Sequence, residues 1–170
     1  TPVATETISN TLLNAFEVGD LRYDNWLGNI TDGTTTWFFP FKYKVKLSPS
    51  LEEYSMVFRL AEQYLIRAEA RAQLNDFSGA LLDLNTIRNR AGLPDVNLSS
   101  QETMLTAIYK ERQVELFSEW GHRWYDLKRS NRIDQVLSSV KPQWVSTAKL
   151  YPIPIDEVSR NGNITQNPGY

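Results

Sequence analysis

Residues 58–94 have the sequence FRLAEQYLIRAEARAQLNDFSGALLDLNTIRNRAGLP, which contains two stretches of helical periodicity. Apolar residues recur at steps of three or four on one side of each stretch. These residues are Phe58, Ala61, Leu65, Ala68 and Ala72 in the first stretch, and Ala80, Leu81, Leu84, Ile87 and Ala91 in the second. Asn75-Asp76 interrupts the pattern, and Gly92-Leu93-Pro94 ends it. The spacing therefore predicts an antiparallel helical hairpin.

The hairpin resembles a tetratricopeptide repeat, which places one large, two small and two apolar side chains at set positions. The matching residues are Tyr64, Ala68, Ala80, Leu84 and Ile87. Arg67 and Arg71 occupy positions that are often apolar in such repeats, so the match is loose. Because a repeat array needs about three units to bury its faces, we expect further hairpins in sequence upstream of this chain.

The hairpin lies within a longer helical segment, residues 57–140, and all 170 residues are expected to form a single domain. A capping box of Ser99 and Glu102 predicts a third helix that runs to about Trp120. A fourth helix is expected to follow it. Its expected members include Trp124, Leu127, Val136 and Leu137, and we place Trp120, Trp124 and Tyr125 in the core.

The two flanking segments lack long helical periodicity. Residues 1–56 are expected to be rich in loops and strands, with a short helix within 7–18 and strands near 34–39 and 42–47. Residues 141–170 contain four of the eight prolines and are expected to be extended. The predicted fold class is mostly α, with a tetratricopeptide-like hairpin, further helices, irregular loops and one or two short strands.

Composition excludes several kinds of chemistry. The chain has 18 Lys and Arg against 20 Asp and Glu, so it lacks the basic face that nucleic acid binding requires. It has no Cys and one His, which excludes disulfides, thiol catalysis and the usual zinc sites. We therefore predict no metal site and no cofactor. A single His base is not excluded, but no Ser or Asp partner can be assigned to His122 from spacing, and we predict no catalytic residues once the carboxylates below are weighed.

The densest charge cluster lies in residues 111–129, where Glu111, Glu115 and Glu119 share one helix face. A pair of such carboxylates could serve glycoside hydrolysis. However, neighbouring arginines lower carboxyl pKa values, whereas a catalytic acid needs a raised pKa. We therefore predict a structural ion network. Its members are Arg112, Glu115, Glu119, Arg123 and Asp126.

Aromatic residues in the first segment are candidates for ligand contact. Trp26 and Trp37 have Asp24 and Asn25 nearby, and the sequence around Trp26 resembles a loop. An apolar ring beside carboxylate and amide groups suits a sugar, whose faces are apolar and whose rim carries hydroxyl groups. The alternative is that these rings cover the helices. Trp26, Trp37, Asp24 and Asn25 are the predicted binding residues.

Several motifs, in order along the chain, resemble the SusD/RagB family. They are Asp20-x-Arg22; RLAEQYLIRAEA at 59–70; LNTIRNRAGL at 84–93; Glu111-Arg112 with Glu115-Leu116, Glu119, Gly121-x-Arg123 and Asp126-Leu127-x-Arg129; LYPIP at 150–154; and QNPGY at 166–170. The resemblance covers about residues 17–170, and the chain is much shorter than a whole family member. It is expected to be a C-terminal domain.

The resemblance implies a non-catalytic lipoprotein at the cell surface, held in the outer membrane by an N-terminal lipid anchor that this chain lacks. Such proteins bind oligo- or polysaccharide nutrients and pass them to a SusC-like TonB-dependent transporter. Two alternatives remain: a helical scaffold that docks the transporter while ligand contacts lie elsewhere, and a glycoside hydrolase.

Overall fold

A computed structural model of the chain describes residues 6–45, 48–50 and 52–170. It forms two compact units, one ending at Arg123 and the other beginning at Trp124. The expectation of a single domain stays a prediction. Within the described residues, no helix combines the length and the apolarity needed to cross a bilayer.

The described residues form eight α-helices, one 3-10 turn and one two-stranded sheet. In chain order they are α1 (Asn10–Leu13), α2 (Leu21–Trp26), β1 (Leu27–Thr31), β2 (Thr36–Pro40), α3 (Leu60–Gln73), α4 (Phe77–Arg90), α5 (Gln101–Glu115), α6 (His122–Arg129), α7 (Ile133–Val140), the 3-10 turn (Ser146–Lys149) and α8 (Ile155–Arg160). The predicted fold class is confirmed.

Helices α3 and α4 form the predicted hairpin, and α5 packs against both of them. They share an apolar core, because each helix presents an apolar stripe to the others. Its buried members are Ala61, Leu65, Ala68, Ala72, Ala80, Leu84, Ile87, Met104 and Ile108. The small alanines allow the helix backbones to approach closely.

The two arginines that weakened the repeat resemblance share one buried acidic partner. Arg67 donates two hydrogen bonds to the Asp83 carboxylate, at 2.9 and 2.7 Å, and Arg71 donates a third at 2.7 Å. Asp83 is buried on α4, and its carboxylate faces both arginines of α3. An ion pair therefore joins the helices at positions where other repeats use apolar contacts.

Helix α4 ends in a Schellman motif at the predicted stop. Leu93 N–H donates to the Arg88 carbonyl at 2.9 Å, and Gly92 N–H donates to the Asn89 carbonyl at 3.0 Å. Gly92 has a φ of +77°, and a Cβ there would lie 2.9 Å from Leu21 Cγ. Glycine is required both by its backbone angle and by the close approach of α2.

The sheet differs from the predicted strands. β1 and β2 are antiparallel, with Leu27 opposite Pro40 and Thr31 opposite Thr36. The prediction missed β1, whose Gly28 leaves room for the Phe39 ring across the ladder. Residues 42–45 of the predicted second strand are not in a strand, and residues 46–47 lie outside the described residues.

Four further predictions require correction. The short helix is only α1, and the cap of α5 is Ser100, whose hydroxyl accepts from Thr103 N–H, instead of Ser99. Trp120 and Tyr125 are exposed and do not lie in the core. The residues after 141 include two short helical elements, so that segment is less extended than expected.

The second unit has its own small core of Leu127, Ile133 and Leu137, with Trp124 and Trp144 packed against it. Its C-terminal motifs are joined by hydrogen bonds. The Gln166 side chain donates to the Ile153 carbonyl at 2.8 Å and accepts from Ile153 N–H at 2.7 Å. Tyr170 Oη donates to the Leu150 carbonyl at 2.8 Å, so LYPIP and QNPGY hold one another in place.

Candidate functional site

Helix α5 ends at Glu115 because two cations bind its last carbonyl oxygen. Lys42 Nζ donates to that oxygen at 2.8 Å, and Arg59 donates to it at 2.7 Å. In a continuing helix it would accept from the Glu119 N–H instead. Just beyond it the chain reverses through left-handed residues. They are Ser118 (φ 57°), Trp120 (φ 40°) and Gly121 (φ 72°).

The Glu115 carboxylate lies at the centre of the first unit and contacts three arginines. Arg59 is 2.6 Å from Oε1, while Arg22 and Arg90 are 3.0 and 2.5 Å from Oε2. These arginines come from α2, the N-cap of α3 and the end of α4. We call this group, with Glu111 and Glu119, the arginine cluster. It connects four segments of the chain through one carboxylate that is 0% exposed.

The spacing of the Asp20-x-Arg22 motif is explained by the hydrogen bonds between its two residues. Asp20 is the N-cap of α2 and accepts from Arg22 N–H at 2.9 Å. The same carboxylate accepts from the Arg22 guanidinium at 2.9 and 2.8 Å. This fixes the guanidinium so that it also reaches Glu111, 2.6 Å away. Asp20 thus caps the helix and orients the arginine.

Arg59 occupies the N-cap position of α3, where no side chain provides a cap hydrogen bond. Losing such a cap costs about 1 kcal/mol. The guanidinium instead donates through Nε to Glu119 at 2.9 Å and pairs with Glu115. The local preference for Ser, Thr or Asp at a helix start is therefore overridden by a tertiary contact.

Lys42 lies between two aromatic rings. Its Nζ is 4.6 Å from the centre of the Trp26 ring and 4.1 Å from that of Phe117, and it donates to Glu119. Burial lowers the pKa of Lys42 to about 8, against the opposing effect of the Glu119 hydrogen bond. The ammonium is thus held charged in surroundings that disfavour its charge.

The lowered pKa of Lys42 predicts a pH dependence of stability. Above pH 8 the folded chain loses the Lys42 proton, whereas the unfolded chain keeps it until about 10.5. Stability therefore rises with pH in this interval, by about 2 kcal/mol. Urea unfolding across the interval should show this gain in the wild type relative to Lys42→Met.

Lys44→Met is the control for the pH prediction, since it removes an exposed ammonium two residues away. Its difference from the wild type is expected to stay constant over the interval. A constant difference for Lys42→Met as well would show that Lys42 keeps its ordinary pKa.

A cavity of about 360 Å³ opens beside the arginine cluster in the first unit. Its apolar walls are Trp26, Tyr43, Tyr54 and Met56, and its charged groups are Lys42, Glu52, Glu53, Arg59 and Glu119. Two hydrogen bonds shape its wall: Met56 N–H donates to Tyr43 Oη at 3.0 Å, and Trp120 Nε1 donates to the Met56 carbonyl at 2.9 Å. Aromatic rings and polar groups therefore converge on one concave surface.

The structure does not bring the four predicted binding residues together. Trp26 lines this cavity, whereas Asp24 lines a different one of about 280 Å³ near Phe16 and Tyr23. Asn25 is exposed and donates to the Leu21 carbonyl of its own helix at 2.7 Å. Trp37 lies in β2, opposite Ile30, and is partly exposed.

The scattering of these residues has a local cause. Residues 24–26 lie at the end of helix α2, not in a loop as expected. Neighbouring residues in a helix differ by about 100° in direction, so consecutive side chains cannot converge on one ligand. Tyr43 and Tyr54 were missed because they lie far from Trp26 in sequence. The only sequence signal was their aromatic character.

Three of the predicted network residues, Arg112, Glu115 and Glu119, have partners outside their own segment. Glu115 and Glu119 contact Arg22, Lys42, Arg59 and Arg90. The Arg112 guanidinium faces Glu62 at 4.0 Å. Arg123 is at the start of α6. Asp126 lies in the second unit, where it pairs with Arg129 at 2.8 Å.

The buried glutamates differ in acidity. Burial raises the pKa of Glu111, and the Arg22 charge only partly opposes this. Burial also acts to raise the pKa of Glu115, but its hydrogen bond and charge interaction with Arg90, together with Arg59, lower it on balance. A carboxyl pair with opposite shifts suits acid–base catalysis. Here both side chains are buried, at 4% and 0% exposed, so a glycosidic bond cannot reach them.

A sequence model of the SusD family matches residues 21–140, which contain α2 through α7 and the whole arginine cluster. The chain belongs to the SusD family. Among curated proteins, SusD-like protein P38 of Formosa agariphila is 30% identical over 138 residues, or 75% of this chain and 27% of that protein. The starch-binding protein SusD of Bacteroides thetaiotaomicron is 33% identical over 131 residues, or 67% of this chain and 21% of that protein.

Solved structures of the SusD family have the same fold. A SusD-like carbohydrate binding protein of Bacteroides vulgatus has a TM-score of 0.61 at 29% identity, over 73% of this chain and 27% of that one. A SusD superfamily protein from the same species has a TM-score of 0.75 at 20% identity, over 96% of this chain and 44% of that one. The chain spans between 21% and 29% of the length of the curated relatives it matches.

Proposed function

We propose that this chain contributes a glycan-binding surface to a cell-surface nutrient-binding protein. The cavity beside Trp26 is the proposed site of contact. Its rings offer flat apolar faces, and its carboxylates offer acceptors for sugar hydroxyl groups. Two relatives, a starch-binding protein and a SusD-like carbohydrate binding protein, support this ligand class.

Tyr54 provides the test, since its side chain lines the cavity yet is 67% exposed. Removing it leaves the arginine cluster intact, whereas removing Trp26 would also withdraw the ring that contacts Lys42. Tyr54→Ala is expected to weaken glycan binding about tenfold, which corresponds to ~1.4 kcal/mol. The measurement is isothermal titration calorimetry or affinity electrophoresis against a panel of neutral polysaccharides.

The matched control is Tyr125→Ala, because Tyr125 is 62% exposed and does not line the cavity. It should bind each glycan as tightly as the wild type does. Equal affinity of both variants and the wild type would remove the cavity from the binding site and favour the scaffold alternative.

We also propose that the protein is not catalytic and passes its glycan to a SusC-like TonB-dependent transporter at the outer membrane, where a lipid anchor holds it. The burial of Glu111 and Glu115 among arginines supports the absence of catalysis. Glycan hydrolysis by the wild type that Glu115→Gln abolishes in a folded protein would overturn it.

A scaffold that docks the transporter is the second candidate function. A strip of exposed apolar side chains at the start of α3 supports it. The strip consists of Val57, Phe58 and Leu60. Loss of binding to a transporter preparation on Phe58→Ser, with glycan affinity unchanged, would assign the strip to this role.

A further inference from the structure

We infer that the cavity selects neutral glycans over acidic ones. This inference rests on the proposed glycan-binding function and adds the charge of the ligand to it. Five charged side chains line the cavity, and only some of their charges are neutralised by neighbours. The preference depends on which of these charges remain uncompensated within the protein and can therefore act on a ligand.

Both cations of the cavity are already used by the protein. Lys42 Nζ donates to Glu119 and to the Glu115 carbonyl. Arg59 donates to both glutamate side chains and to the same carbonyl. Since each cation lies among its own acceptors, neither guanidinium nor ammonium is available to pair with an acidic sugar.

Two further carboxylates, those of Glu52 and Glu53, line the cavity. Glu53 Oε2 accepts from the N–H groups of Lys44 and Val45, both at 2.8 Å. Glu52 Oε1 accepts from Ser50 Oγ at 2.7 Å, and the Ser50 hydrogen bond, more than that of Ser48, lowers the pKa of Glu52. Within the described part of the chain, neither glutamate forms an ion pair.

The uncompensated charges among the described residues of the cavity, those of Glu52 and Glu53, are therefore both negative. A hydroxyl group that enters the cavity can donate to an ionised carboxylate, which is a charge-assisted hydrogen bond. A uronate or sulfate that enters meets two negative charges, and the described residues that line the cavity offer it no uncompensated cation. Exposed charge pairs change affinity by a factor of a few each, so two repulsive contacts give roughly a tenfold preference for the neutral ligand.

The test compares each bound neutral polysaccharide with its derivative oxidised at C6, which replaces a hydroxymethyl group by a carboxylate and keeps the linkage. The neutral form is expected to bind roughly tenfold more tightly, and added salt should narrow the difference. The double variant Glu52→Gln, Glu53→Gln should reduce the difference to about twofold. Glutamine keeps a carbonyl oxygen, so the bonds from residues 44 and 45 are retained.

The matched control is Asp156→Asn, Glu157→Gln, which removes two adjacent exposed carboxylates from α8 and changes the net charge equally. It should leave the preference unchanged. An oxidised glycan that binds as tightly as its parent would overturn the inference while glycan binding stands. A preference that survives in the Glu52 and Glu53 variant would also overturn it. Absence of binding to every glycan would refute the proposed function itself.

Discussion

Glu115→Ala is expected to lower the free energy of unfolding by about 3–5 kcal/mol, the cost of removing one partner from a buried ion-pair network. Its carboxylate is 0% exposed and contacts Arg22, Arg59 and Arg90. Alanine would remove the carboxylate that all three guanidiniums share, so that, among the described residues, Arg22 keeps only the carboxylates of Asp20 and Glu111, and Arg59 keeps only that of Glu119. The measurement is urea unfolding followed by circular dichroism.

Glu119→Ala is the graded comparison for this prediction. Its partners, Lys42 and Arg59, both keep hydrogen bonds to Glu115 when Glu119 is removed. The loss should therefore be smaller than that of Glu115→Ala. Equal losses, or a loss under about 1 kcal/mol for Glu115→Ala, would show that solvent reaches the cluster and screens its charges.

Leu84→Ala is expected to cost about 2–5 kcal/mol by a different mechanism. Leu84 is fully buried on α4, within the core shared by α3, α4 and α5. Truncation removes apolar contacts and leaves a cavity, because the Asp83 ion pairs hold α3 and α4 in place and oppose inward collapse. The same urea unfolding experiment measures the loss.

Leu82→Ala gives the matched control on the same helix, since Leu82 is exposed. It removes the same atoms but creates no cavity, so its effect should lie within about 0.5 kcal/mol. Similar losses for the two variants would mean that helix propensity, not core packing, determines the stability of α4.

The helical hairpin could be predicted because the residues that determine it lie close together in the sequence. The spacing of apolar residues places α3 and α4, and Gly92 marks the end of the second helix. The end of α5 could not be predicted in this way. Glu115 ends the helix because Lys42 and Arg59 take its carbonyl oxygen, and nothing within the helix sequence indicates that.

The partners of the charged residues could not be predicted from the local sequence either. Glu115 and Glu119 could be selected for a structural network from their spacing, but four of their partners come from other segments. The Asp20-x-Arg22 motif was the available signal for Arg22. Aromatic character alone selects Trp26, without indicating whether its ring faces a cavity, cations or, as here, both.

The arginine cluster joins residues as far apart in the chain as Arg22 and Glu115, separated by 93 positions. Closing so long a loop is slow, whereas the α3–α4 hairpin needs only short-range contacts. Folding should therefore begin in the hairpin and complete the cluster after the transition state. In stopped-flow kinetics, Leu84→Ala should mainly slow refolding, and Glu115→Ala should mainly accelerate unfolding. The cluster therefore lengthens the lifetime of the folded state by slowing unfolding. Equal effects of both variants on the refolding rate would contradict this order of folding.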